Sequence, residues 1–159
     1  MGTLPQLIEE DIFYLDRALS DLLKSTDATA ALILDKGGFL ITHHGDTSQF
    51  DVTTISALAS GAYLANQTIA NLVSETNFDS VYQQGENFSM FTTNVDEHSL
   101  LLVIFPAQVG VGIVKYHAGQ TRERIAAQMQ AAQQRDPGAS LDLSVLNMAD
   151  TSGLFKRKA

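Results

Sequence analysis

A chain of 159 residues with 45% hydrophobic and 18% charged residues has the makeup of one globular domain, large enough to bury about two-thirds of its surface, and not of a disordered polymer. Its formal net charge of −8 argues against phosphate-backbone binding, and so against a nucleic-acid partner, and would suit a partner with a basic patch. With no cysteine there is neither disulfide nor thiolate metal site, and the start MGTLPQLIEED lacks the basic and apolar regions of a secretory signal, so a cytoplasmic location is expected.

Leu7, Ile8, Ile12, Leu15, Leu19, Leu22 and Leu23 recur at helical steps, which makes 5–25 an amphipathic helix with Pro5 in its first turn. Glu9, Glu10 and Asp11 read as a solvated helix start favoured by the helix dipole, not as a paired-carboxylate site. Thr29–Asp35 is apolar on both alternating faces, as in a strand covered by helices on both sides. Lys36-Gly37-Gly38 then turns the chain into Phe39–His43, giving a hairpin.

The next stretch, Val52–Ser74, holds no charged residue between Asp51 and Glu75 and still reads at helical spacing, with Asp51 as its cap. Ile55, Leu58, Ala62, Ala65, Ile69 and Leu72 form the stripe expected on the core. Ala57, Ser60, Gly61, Leu64 and Thr68 form a second face, with Tyr63 beside them. Gly61 costs about 1 kcal/mol in a helix interior, which close approach of another backbone would explain. Thr53, Thr54, Ser56, Asn66, Gln67 and Asn71 lie within this stretch and argue against membrane insertion. Two placements remain: a helix buried on two faces within the domain, or one with its second face on a partner protein. The second is favoured, because a chain of this size has few places to hide both faces.

Phe78–Gln84, Asn87–Thr93 and Ser99–Phe105 read as three strands, the last apolar on both faces and central, the first an edge. Val111–Arg135 keeps a helical step through Val114, Ala118, Thr121, Ile125, Met129 and Ala132, and Asp136-Pro137-Gly138 stops it. The sequence thus divides into a domain over 1–135 and a tail over 136–159, the latter of a kind often ordered only on a partner.

Chemistry is sparse. His43 and His44 are adjacent in a strand and point to opposite faces, and His98 and His117 stand apart, so no metal site is expected. Gly110-x-Gly112 and Lys36-Gly37-Gly38 fit neither a phosphate loop nor a dinucleotide fingerprint, so no cofactor is expected either. Arg122 and Arg124, two apart on a helix, face different ways and read as solvated, not as a catalytic arginine supplied to a partner. The residues therefore point to a non-enzyme whose most informative surface is a helix.

The order helix, hairpin TAALILDKGGFLI, helix TTISALASGAYLANQTIANLVSETNF, meander ending SLLLVIF and helix VGIVKYHAGQTRERI resembles the roadblock / dynein light chain family, and within it the bacterial MglB type, from Leu7 to Arg135. Asp35–Phe39, Leu58–Gly61, Gln84-Gly85-Glu86 and Gly112–Lys115 carry the likeness. The resemblance implies an α/β fold, a roadblock-like α-β-α sandwich with a five-stranded antiparallel sheet, one long helix on one face and two helices on the other. It implies a homodimer that joins edge strands, here through Val81, Tyr82 and Gln83, and lays the two middle helices together near Ala57. It further implies a cytoplasmic regulator of an MglA-type Ras-like small GTPase, which shifts the GTPase's own groups without inserting a catalytic residue. The partner-binding residues then fall at Ser60, Gly61, Leu64 and Thr68, with Tyr63 beside them. Tyr63 and Leu64 stand where MglB has alanines and would alter docking. The alternatives are a dimeric scaffold or localisation module without effect on hydrolysis, and a small-molecule sensor, which needs a buried cavity beneath a helix.

Overall fold

The computed structural model describes residues 4–135. The tail expected over 136–159 lies outside the described residues. In chain order the elements are α1 (Glu9–Thr26), β1 (Ala30–Asp35), β2 (Leu40–Gly45), α2 (Val52–Leu72), β3 (Ser80–Gln83), β4 (Phe88–Asn94), β5 (Ser99–Pro106) and α3 (Val111–Gln134). All strands pair antiparallel in the order β2-β1-β5-β4-β3, so the two doubly apolar strands are neighbours inside the sheet and β3 is an edge.

Alternation along β1 and β5 builds two cores. Ala31, Ile33, Leu101, Val103 and Phe105 face α1 and α3, where they meet Leu15, Leu19, Leu22, Val114, Ile125 and Met129. Ala30, Leu32, Leu34, Leu100, Leu102 and Ile104 face the other way and are covered by α2 through Tyr63, Ile55 and Ala59. Two helices therefore cover one face and one helix the other, as the resemblance implied.

The first helix starts later than its apolar pattern suggests. The Ile8 amide donates to the Asp11 carboxylate at 2.8 Å, which satisfies a donor left free at the helix start and fixes Glu9 as the first helical residue. That same carboxylate overturns the reading of a solvated acidic cluster. Glu9 and Glu10 are exposed, but Asp11 is fully buried and takes a two-pronged contact from Arg135 at 2.6 and 3.0 Å and one from Gln128 at 2.7 Å. Burial alone would raise the Asp11 pKa; the Arg135 guanidinium, the Ile8 amide and Gln128 together bring it below the ordinary carboxylate value. Through this cluster the start of α1 is clamped to the end of α3.

The two arginines expected in solvent differ. Arg124 pairs with Asp21 on the surface at 3.0 Å, whereas Arg122 is half-buried and donates to the Asn94 carbonyl at 3.4 Å, holding α3 on β4.

Candidate functional site

Asp51 starts α2 by accepting from the Thr54 hydroxyl at 2.7 Å and the Thr54 amide at 3.1 Å, and these bonds hold its pKa below the usual carboxylate value. From there the backbone turns about 100° per residue, and the uncharged helix divides into one inward face and two flanks.

The inward face is made mostly of small residues. Ser56, Ser60, Tyr63 and Ala70 are buried, and Ile55 and Ala59 partly so. Ser56 Oγ donates to the Val52 carbonyl at 2.7 Å, and Ser60 Oγ donates across to the Lys36 carbonyl in the β1–β2 turn. Gly38 in that turn has φ +98°, and a Cβ there would stand 3.3 Å from Ala57 Cα, so only glycine lets the turn sit this close to the helix. The Lys36 ammonium lies 5.5 Å from the Tyr63 ring centroid. Burial lowers its pKa, with Asp96 and Glu97 opposing, while burial and Asp79 push the Tyr63 phenol up.

One flank looks toward β3. Ile55, Leu58, Ala59, Ala62 and Asn66 line, with Val81, Gln83, Met90 and Thr92 of β3 and β4, an apolar groove of about 270 Å³. The other flank carries Ala57, Gly61, Leu64 and Thr68, all exposed, and a Cβ added at Gly61 would meet nothing within 4 Å.

This arrangement corrects the assignment of faces. Of the stripe expected on the core, only Ile55 turns inward; Leu58 is 69% and Leu72 80% exposed, and Ala62, Ala65 and Ile69 are exposed too. The helix lies so close to the hairpin turn that small residues fill the contact, and the large apolar ones are left on the flanks. Of the five residues expected at a partner, Ser60 and Tyr63 are turned inward, with 3% and 5% exposed, and Tyr63 forms part of the groove lining. Gly61, Leu64 and Thr68 share the outer flank. Among the described residues no atom lies within 4 Å of a Cβ added at Gly61, so the backbone expected to approach there is not supplied by this domain.

Of the four residues expected at a dimer seam, Val81, Tyr82 and Gln83 are consecutive on the β3 edge strand, and Ala57 stands apart from them on α2. Val81 and Gln83 line the groove, and Tyr82 points to the opposite sheet face, stacked on Phe105 with centroids 6.2 Å apart. Ala57 lies over Gly38, away from β3. The groove also takes in Leu58 and Ala62, which the sequence pattern placed on the core, and Met90 and Thr92, which it did not single out; the two-residue step of Val81–Gln83 and Met90–Thr92 places each pair on one sheet face.

Among the described residues no group of three or more His, Asp or Glu converges as a metal would require, and no helix is long and apolar enough to cross a membrane. A family model, the Roadblock/LC7 domain, matches residues 14–105, from the middle of α1 through β5. The chain belongs to the roadblock/LC7 family. Among solved structures it is similar to an MglB with tetrameric arrangement (TM-score 0.77, 25% identity, 83% of this chain and 99% of that one). It is also similar to the gliding protein MglB from Thermus thermophilus (TM-score 0.75, 25% identity, 82% and 99%) and to Myxococcus xanthus MglB (TM-score 0.70, 25% identity, 74% and 95%). No curated protein matches the chain. The family places the uncharged helix and the β3 edge in a roadblock frame shared with MglB.

Proposed function

We propose that this roadblock protein is a non-catalytic, cytoplasmic homodimer that regulates an MglA-type Ras-like small GTPase by contact through α2. The observation that carries the reading is the surface of that helix: it has no ionised group, and it leaves Leu58, Leu64, Ile69 and Leu72 about half or more exposed. Cover from another protein would suit side chains of this kind, and the two flanks would give them different neighbours. Leu58 and Ala62 flank the β3 edge, so pairing β3 with its copy would bring a second α2 against the groove. Gly61, Leu64 and Thr68 would stay open on the assembled dimer and receive the GTPase. The likeness to MglB, one example of which is tetrameric, supports self-association.

The groove beside α2 does not favour a small-molecule sensor. It is lined by exposed Leu58 and Gln83 and opens to solvent, unlike a cavity closed around a ligand.

The test mixes the purified protein with an MglA-type Ras-like GTPase and GTP, and follows hydrolysis and co-elution. Faster hydrolysis with co-elution supports regulation. Co-elution without a change in hydrolysis or nucleotide exchange selects the dimeric scaffold, and neither over a wide concentration range discards both.

A further inference from the structure

A small polar pocket lies beside Leu64, at the edge of the outer flank of α2. It encloses about 160 Å³ between that helix, the β1–β2 turn, the start of β3 and the end of β4, and Lys36, Tyr63, Leu64, Gln67, Asp79 and Asn94 line it. Pockets for drug-sized ligands run to roughly 300–1,000 Å³, so this one suits a single side chain.

Its lining is rich in acceptors and short of donors. Gln67 Nε2 donates to the Phe78 carbonyl at 3.2 Å, which fixes the side-chain amide. Gln67 Oε1 and Asn94 Oδ1 are buried, and among the described residues no donor reaches either. Each oxygen therefore favours any donor that can approach it. The backbone around them is already in place: the Asn94 amide and the Thr93 hydroxyl donate to the Asp79 carbonyl at 3.1 and 3.3 Å, and the Asn94 carbonyl accepts from Arg122 at 3.4 Å. Acceptors fixed beforehand lose little freedom on binding.

Charge selects the kind of donor. Exposed Asp79 adds a carboxylate to the lining, and Asp96 and Glu97 act on Lys36 from the neighbouring β4–β5 turn, so three acidic groups attend one cation. That cation is loosely held. The Lys36 ammonium lies 5.5 Å from the Tyr63 ring centroid and, among the described residues, forms no ion pair, so it can move toward Asp96 and Glu97. A guanidinium carries five donors in one plane, enough for both amide oxygens and the Asp79 carboxylate at once.

We infer that this pocket receives an arginine side chain of the protein bound on the outer flank of α2. Gln67 Oε1, Asn94 Oδ1 and the Asp79 carboxylate accept from the guanidinium, and Lys36 turns aside toward Asp96 and Glu97. The occupant named here rests on the reading of that flank as the partner's surface, while the pocket's chemistry is testable without a partner.

Ethylguanidinium stands in for the arginine head group, and N-ethylurea has nearly its shape without its charge. Each is titrated into the isotope-labelled full chain, and the side-chain amide signals of Gln67 and Asn94 are followed by NMR. Ethylguanidinium should shift both signals saturably and bind at least about threefold more tightly than the urea. Asp79→Asn should weaken it about threefold and Lys36→Ala tighten it by about as much, opposite signs that a general loss of structure does not produce. No saturable shift, equal binding of the urea, or no tightening in Lys36→Ala overturns the inference. With the GTPase, the two variants should move the dissociation constant in the same opposite directions. A complex whose dissociation constant neither variant moves overturns the inference and leaves the regulatory reading standing. Saturable guanidinium binding with no GTPase complex overturns the regulatory reading and the named occupant with it, while the pocket's preference for a guanidinium stands.

Discussion

Replacing Asp11 by Ala removes the acceptor at the centre of the α1–α3 clamp. The carboxylate is fully buried and takes two bonds from Arg135, one from Gln128 and one from the Ile8 amide. Bonds to a charged group contribute about 1.5–3 kcal/mol each when the partner is left stranded. The Arg135 side chain is 24% exposed, however, and reaches water once released. The net loss should therefore be close to one such bond plus the helix start, about 2–3 kcal/mol. For a chain of this length that lowers the melting temperature by about 5–10 °C.

The pH dependence is set by the sign of the shift. The folded-state pKa of Asp11 is depressed, so its contribution is complete above the unfolded carboxylate value and is lost as pH falls through the lower folded value. Thermal melts at fixed protein concentration should show a constant gap between wild type and Asp11→Ala from neutral pH down to about 4, narrowing below that. In a double-mutant cycle, Arg135→Ala should add little once Asp11 is gone. A loss under about 0.5 kcal/mol, or strictly additive losses, would refute the clamp.

Other substitutions probe the remaining elements. Gly61→Arg meets open space, so the variant should melt like wild type and bind the GTPase at least about tenfold more weakly, because the charge would be desolvated in the contact; titration of a labelled GTPase reads this out. Ser60→Arg, at a buried position bonded to the Lys36 carbonyl, should instead lower the melting temperature. Val81→Asp on the β3 edge should raise the dimer dissociation constant at least about tenfold by sedimentation, since two-fold pairing places like charges near each other. Gly45→Ala should cost about 2 kcal/mol or more by denaturant titration, given φ +102° and an added Cβ 2.4 Å from the Thr29 carbonyl oxygen.

Most of the fold was legible because its signals are local and strong. TAALILD and SLLLVIF are apolar on both alternating faces, and they became the adjacent inner strands β1 and β5. Asp51 read as a cap and is one, and Lys36-Gly37-Gly38 read as a turn and is one. The orientation of α2 was not legible, because apolar periodicity finds large side chains, whereas this helix meets the sheet through Ser56, Ser60, Ala59 and Ala70 around one Tyr63. In a helix without charges no polar face exists to mark solvent. Asp11 was misread for a related reason: its partners, Gln128 and Arg135, lie more than 100 residues away in sequence, and nothing local distinguishes it from exposed Glu9 and Glu10.

The claim that the two flanks of α2 meet different proteins is tested most directly by hydroxyl-radical footprinting of the full chain, alone and with the GTPase bound to a non-hydrolysable GTP analogue. The reading expects Leu58 to be protected already in the protein alone, while Leu64 reacts freely until the GTPase is added and is then shielded. Oxidation of Leu58 and Leu64 at the rates of free side chains in both samples would contradict it.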